Sequence, residues 1–181
     1  MVKSTNKYKI VASIINLMLI LFGIVSNVQI LQHDNPSIST TVSTIFSVIA
    51  LLAGASYICY GYEKVGAKSY KAFMILYAFA QLSCIVGAAL MEPSNAIYIV
   101  SSAIVYGPIL LLALSKDMGK KVSYNLAGII VGLQLLVFVG SLISKDAVFH
   151  GSRTLSNLIL AVTACVMVWA KYDNKASRGT K

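Results

Sequence analysis

Six long apolar runs constrain this sequence more than any other feature. An α-helix rises about 1.5 Å per residue and must cross roughly 30 Å of hydrocarbon, so a membrane span needs about 20 apolar residues. The runs cover residues 10–31, 42–62, 72–91, 95–114, 122–143 and 154–170. They are too long and too continuously apolar for the strands of a membrane barrel. The sequence predicts an all-α, six-helix bundle that forms a single transmembrane domain, 1–181, with the last span the shortest.

The composition also favours a membrane environment. Of the 181 residues, 57% are hydrophobic and 12% are charged, and the mean hydropathy is +0.78. A soluble domain of this size would need more polar residues to cover its exterior. The first run follows three lysines, as in a signal peptide, but it is too long and no small-x-small cleavage site closes it. We therefore expect it to be the first span.

The basic residues are segregated by loop, which predicts the topology. Thirteen of the 15 lie in the N-terminus, the 63–71 loop, the 115–121 loop or the C-terminal tail, whereas the loops 32–41, 92–94 and 144–153 carry only Lys145 and Arg153. Short basic loops stay in the cytoplasm. Both termini are therefore predicted to be cytoplasmic, in the plasma (inner) membrane. The net charge of +9 is assigned to anionic lipid headgroups at these loops rather than to nucleic acid, with docking of an acidic cytoplasmic partner as the alternative.

A weak internal repeat accompanies this charge pattern. Tyr8, Tyr70 and Tyr124 each follow a lysine-rich stretch and stand at the start of an odd-numbered helix. Tyrosine suits that position because its ring is apolar and its hydroxyl is wet. Aligning the chain on these residues divides it into three helical hairpins, which predicts an internal triplication.

The six runs contain no Asp, Glu, Lys, Arg or His. Ion pumps, proton-coupled carriers and voltage sensors carry such groups at membrane depth, and intramembrane proteases need them to activate a nucleophile or hold zinc. These classes, and enzymes in general, are disfavoured, and no catalytic residue or cofactor is predicted. The residues able to bind a metal lie in the outward loops without a recognised spacing, so no metal site is predicted: His33, Asp34, Glu92, Asp146 and His150.

Neutral polar residues within the runs are the candidate ligand-binding groups. Gln81 and Gln134 lie at similar depths near mid-bilayer, and an amide in hydrocarbon is costly unless paired. We therefore expect both side chains to face the bundle interior. Four further candidates lie from the centre towards the outer half: Asn27, Ser102, Tyr106 and Asn157. Such an uncharged polar interior suits a neutral or amphipathic small molecule or a lipid, and hydrogen bonding between helices is the alternative.

Small residues predict where helices approach one another. Gly128-x-x-x-Gly132 is expected to pack inside one subunit, with a homodimer seam as the alternative. Pro108, after Tyr106 and Gly107, predicts a kink. The three cysteines show no metal-binding spacing and are expected to be buried small hydrophobes: Cys59, Cys84 and Cys165.

Two functions fit this pattern. The first is binding or transport of a neutral or amphipathic molecule. In length and number of spans the chain resembles the substrate-binding subunits of energy-coupling factor importers, but helix 1 lacks their Ala-x-x-x-Ala docking pattern, so membership is not inferred. The second is a non-transporting membrane scaffold or envelope-stress protein that acts through its helix faces and cytoplasmic loops.

Overall fold

The chain folds into six α-helices. The computed structural model describes residues 4–33, 35–61, 67–91, 94, 96–114, 119–144 and 147–176. The helices are α1 (Ser4–Gln32), α2 (Ile38–Gly61), α3 (Ala67–Met91), α4 (Ala96–Leu114), α5 (Lys120–Ser141) and α6 (Ala147–Ala176). The described residues contain no strand, and the all-α prediction is confirmed.

Five of these helices are long and apolar enough to cross a membrane. Their candidate spans are Ile10–Gln32, Ile38–Tyr60, Ala67–Met91, Lys120–Ser141 and His150–Tyr172, whereas the apolar part of α4 is shorter, Ile99–Ala113. Large apolar side chains cover the outside of the bundle, among them Leu21, Phe22 and Leu136, each at least 60% exposed. An apolar exterior of this kind is typical of a protein surrounded by lipid. The exact number of spans, six, stays a prediction.

The prediction that the last span is the shortest is wrong. α6 is the longest helix, 30 residues, and its span is the most buried of the five. The predicted loop 144–153 is helical from Ala147 onwards. The apolar run underestimates α6 because buried polar residues near its start, Ser152, Thr154 and Ser156, form hydrogen bonds to groups on neighbouring helices or in the preceding turn. A helix at the centre of a bundle can carry polar groups that a lipid-facing helix cannot.

Consecutive helices are neighbours, and α6 also packs against α1, α2 and α3. The hydrogen bonds between α1 and α6 run in opposite sequence order. Thr163 of α6 donates to Asn16, while Ser152, closer to the start of α6, donates to Gln29. The two helices are therefore antiparallel, and the start of α1 lies at the same end of the bundle as the end of α6.

The lysine-rich segments meet at that end, which we call the lysine end. The ammonium of Lys171 lies 4.8 Å from the ring centre of Tyr70 and 5.5 Å from that of Tyr172. Ser123 Oγ lies 3.1 Å from the hydroxyl of Tyr172, and the rings of Tyr57 and Tyr70 are 6.3 Å apart. These contacts join the end of α2 and the starts of α3 and α5 to the end of α6. The lysine-rich segments therefore lie at one end of the bundle, as the charge pattern predicts.

The close helix contacts occur at glycines that the sequence pattern does not single out. A Cβ atom at Gly54 of α2 would lie 2.9 Å from Cγ2 of Thr163 on α6, and one at Gly87 of α3 would overlap Oγ of Ser39 on α2. Gly128 and Gly132 are instead exposed on the outside, and a Cβ atom there would meet nothing within 4 Å. The expectation that this pair packs inside the subunit is therefore wrong, because the rotation of α5 turns it outward.

Two other local expectations can be compared with the structure. Cys84 is buried, but Cys59 is exposed and Cys165 is partly exposed, so the prediction of three buried thiols is wrong for Cys59. Pro108 lies inside α4, which continues on both sides of it. Its ring removes one backbone donor from that turn.

Candidate functional site

A pair of buried side chains joins α3 to α6 in the bundle interior. Nε2 of Gln81 donates to Oδ1 of Asn157 over 3.1 Å. Gln81 is 0% exposed and Asn157 is 5% exposed. The second polar side-chain atom of Gln81, Oε1, has no hydrogen-bond partner among the described residues. The expectation that Gln81 faces inward agrees with its burial, and one of its two polar atoms is left to accept a hydrogen bond.

A second pair lies one helical turn from the first, away from the lysine end. Arg153 precedes Asn157 by four residues and Cys84 follows Gln81 by three, so each lies on the same face of its helix as its neighbour. Nη2 of Arg153 lies 3.5 Å from Sγ of Cys84. The placing of Arg153 in an outward loop is therefore wrong. Arg153 is half-buried, so a cationic side chain reaches the contact between α3 and α6 just before the uncharged run 154–170.

Tyr77 continues the same stripe of α3 towards the lysine end. It precedes Gln81 by four residues and is fully buried, with its ring 5.6 Å from that of Phe73. Its hydroxyl has no hydrogen-bond partner among the described residues. We call the residues along this line the polar seam: Arg153, Cys84, Asn157, Gln81 and Tyr77.

Gln134 of α5 is buried at the level of Tyr77, which is the end of the polar seam nearer the lysine end. Contacts of Ser123 with Tyr172 and of Ser141 with Thr154 fix the antiparallel register of α5 and α6. Gln134 precedes Ser141 by seven residues, and Ala161 follows Thr154 by seven, so the two lie at one level, about one turn from Asn157. Gln134 is 0% exposed, and neither its Oε1 nor its Nε2 has a partner among the described residues.

The remaining predicted site residues occupy two other positions. Asn27 of α1 donates to Oγ of Ser156 over 2.6 Å and to the carbonyl of Gly23 over 2.7 Å, so it links α1 to α6 beside Asn157. Tyr106 is half-buried and packs against the apolar core. Ser102 is half-buried and lies on the same face of α4, four residues earlier. The structure brings Gln81 and Asn157 into direct contact and places Asn27 beside them.

Three members of this line are not among the site residues predicted from the sequence: Tyr77, Cys84 and Arg153. A helical stripe at intervals of three or four residues contains the signal, because Tyr77, Gln81 and Cys84 follow it on α3. On α6 the stripe includes Arg153 only if the helix begins before Thr154. Asp34, Glu92 and Asp146, considered as metal ligands, lie outside the described residues. Within the described part of the chain, no three potential ligands come together.

Comparison with known proteins finds no family model that matches this chain, no similar curated protein and no similar solved structure. The function has to be inferred from the buried polar groups themselves.

Proposed function

We propose that this protein is a multi-pass membrane protein that binds or transports an amphipathic small molecule or lipid inside its helical bundle. The observation that carries the proposal is the Gln134 carboxamide, which is fully buried with both polar atoms unbonded among the described residues. Leaving a buried donor or acceptor unsatisfied costs about 1–3 kcal/mol. A residue kept only for packing would be apolar at this position, whereas a ligand would complete its hydrogen bonds.

Two buried groups on α3, at similar levels of the bundle, indicate what such a ligand would offer. Oε1 of Gln81 can accept a hydrogen bond, and the hydroxyl of Tyr77 can donate or accept one. Gln134 can do both. The surrounding core is apolar, with Ile130, Leu160 and Met167 fully buried. A molecule with a few donors and acceptors on an apolar body would match this interior better than an ion would.

The test is the retention of a bound molecule by the purified protein. Native mass spectrometry of wild type released from detergent is expected to show a co-purified adduct of constant mass. Gln134→Leu is expected to lose it. Asn125→Leu is the matched control, because Asn125 is an exposed carboxamide on the same helix, α5. An adduct retained equally by both variants, or no adduct in any of them, would contradict the proposal.

We further propose that the lysine end faces the cytoplasm, in the plasma membrane, so that both termini are cytoplasmic. Lysines are retained on that side during insertion. Lys171, held against Tyr70 and Tyr172, would contact anionic headgroups at the interface. We expect no role for nucleic acid here, since lipid phosphates account for the charge.

Cysteine labelling measures this orientation. In a variant with the three native cysteines replaced, Lys68→Cys is expected to react with a membrane-impermeant maleimide only after the cells are opened. Ser94→Cys, exposed at the opposite end, is expected to react in intact cells. The reverse pattern would invert the topology.

A scaffold is the second candidate function, and the outward face of α5 favours it. Gly128 and Gly132 leave open space there, where the backbone of a second helix could approach closely. In a homodimer built on this face, Gly132→Leu is expected to shift the protein from dimer to monomer in light scattering, and Gly132→Ala to do so less. A protein that is monomeric before substitution rules out this dimer.

A further inference from the structure

We infer that the bound molecule has an uncharged head group that donates hydrogen bonds, a hydroxyl or an amide N–H, and that this head group binds beside Gln134 in the middle of the bundle. The inference rests on the proposed function and adds the chemistry of the head group. It excludes charged amphiphiles, and it excludes esters, ethers and quinones, whose oxygens only accept hydrogen bonds.

Gln134 faces α6 at the middle of its candidate span. It lies on the same stripe of α5 as Ser123 and Ser141, eleven residues after the first and seven before the second. Both of these serines contact side chains of α6. The residue of α6 at the level of Gln134 is Ala161, which is buried and lies midway along the candidate span His150–Tyr172. A methyl group forms no hydrogen bond, so the facing turn of α6 offers the carboxamide no partner at this level.

Two unbonded carbonyl oxygens require a head group that donates. Oε1 of Gln134 and Oε1 of Gln81 are fully buried, have no hydrogen-bond partner among the described residues, and can only accept. Nε2 of Gln134 is also unbonded and can only donate. A hydroxyl has one donor and two acceptor lone pairs, so a single hydroxyl can bond to both polar atoms of Gln134. An ester or a quinone would serve Nε2 and leave both Oε1 atoms unsatisfied.

The threonine hydroxyls of α6 on either side of this level do not supply the missing donor. Thr154 bonds to the carbonyl of His150 over 2.8 Å and to the hydroxyl of Ser141 over 2.7 Å. Thr163 donates to Oδ1 of Asn16 over 3.1 Å, on the side of α6 that faces α1. Both threonine hydroxyls are therefore bonded within the chain, and the donor for Gln134 comes from another molecule.

The surroundings of Gln134 require the head group to be uncharged. Residues 130–138 of α5 and 157–165 of α6, the turns on either side of this level, contain no Asp, Glu, Lys, Arg or His. The nearest charged residues along α6 are Arg153 and Lys171, which the helical rise places roughly 12 Å and 15 Å from the level of Ala161. An ion in these turns would have no counter-charge, and a charge in hydrocarbon is costly unless it is paired.

Three amphiphiles with the same tail test the inference on wild-type protein in phosphatidylcholine nanodiscs. Oleyl alcohol donates and accepts hydrogen bonds, methyl oleyl ether only accepts them, and oleyl sulfate carries a permanent negative charge. Native mass spectrometry measures the binding of each probe at equal concentration in the lipid. Oleyl alcohol is expected to bind about tenfold more tightly than the ether, as one hydrogen bond to a buried acceptor would give.

Gln134→Leu is expected to remove the difference between the alcohol and the ether. Asn125→Leu, the same kind of exchange at an exposed carboxamide of α5, is expected to keep it. The affinity for oleyl sulfate should be the same in wild type and in Gln134→Leu, because an anionic head group bound at the lysine end does not involve Gln134.

Equal binding of the alcohol and the ether by wild type, as a water molecule already bonded to Gln134 would give, would overturn the inference and leave binding of an amphiphile intact. A difference that survives in Gln134→Leu, or binding of the sulfate that this variant loses, would overturn it as well. Failure of folded wild type to bind any of the three probes would overturn both the inference and the proposed function. The wild-type comparison needs no variant, so it decides the inference if Gln134→Leu does not fold.

Discussion

Leucine in place of Gly54 is expected to lower the free energy of unfolding by about 3 kcal/mol, at the upper end of the usual cost of overpacking. A Cβ atom at this position would lie 2.9 Å from Cγ2 of Thr163 and 3.4 Å from Cδ2 of Phe73. Thr163 and Phe73 are both fully buried. Thr163 is also β-branched and donates to Asn16, so its rotamer is restrained. Neither neighbour can move aside without breaking other contacts.

Unfolding by sodium dodecyl sulfate from mixed micelles measures this loss. Gly132→Leu is the matched control, because a Cβ atom there meets nothing within 4 Å. Its effect on the unfolding of the monomer should stay within about 0.5 kcal/mol, the usual range for a surface change. Leucine has a higher helix propensity than glycine, so propensity cannot cause a loss in either variant. Equal losses in the two variants would show that close packing at Gly54 does not decide the result, and that α2 and α6 are not in close contact there.

The contact at Gly54 also determines where the polar seam lies. It brings α2 against the middle of α6, while the hydrogen bond from Thr163 to Asn16 attaches the same turn of α6 to α1. Asn157 is less than two turns from Thr163 on a continuous helix. A shift of α6 away from α2 would therefore move Asn157 relative to Gln81. We expect packing glycines such as Gly54 to affect ligand binding as well as stability.

The helices could be predicted from the sequence because a membrane span needs about 20 consecutive apolar residues, and such runs are visible in the sequence. The start of α6 could not be predicted in this way. Ser152, Arg153, Thr154 and Ser156 lower the hydropathy of its first turns, yet the three hydroxyl groups are bonded within the bundle. A hydropathy pattern treats every residue of a span as if it faced lipid, and it therefore assigns polar residues to loops in water. That assumption fails for a helix surrounded by other helices.

The sequence predicts which polar residues face the bundle interior, but it does not predict which of them contact one another. The inward orientation of Gln81 and Gln134 follows from the cost of an amide in hydrocarbon, and both are fully buried. The bond from Gln81 to Asn157 depends on how α3 and α6 are rotated and shifted against one another, which spacing within either helix does not contain. The same reason explains the glycines. Gly128 and Gly132 have the familiar spacing but face outward, whereas Gly23, Gly54 and Gly87 lie at the helix contacts.

Leucine in place of Gln134 is expected to raise the free energy of unfolding of the ligand-free protein by about 2 kcal/mol. Both polar atoms of this side chain are buried without a partner among the described residues, and removing such a group removes its desolvation penalty. Leucine has a similar volume, so overpacking is small. The same change removes the donor and acceptor assigned to the ligand. Stability and ligand binding should therefore change in opposite directions.

Gln81→Leu is the matched control for this result, since it makes the same exchange on α3 at a carboxamide whose Nε2 is bonded to Asn157. It removes the unbonded Oε1 of Gln81 but leaves Oδ1 of Asn157 without its donor. These two effects oppose each other, so no gain in the free energy of unfolding is expected. Unfolding of the two variants in ligand-free micelles separates a carboxamide that holds helices together from one that is kept for another molecule. A loss of stability in Gln134→Leu would show that Gln134 is bonded within the folded chain, which would remove the main support for a ligand. A gain in Gln134→Leu without one in Gln81→Leu would mean that the chain accepts a less stable bundle to keep Gln134, as expected of a binding residue.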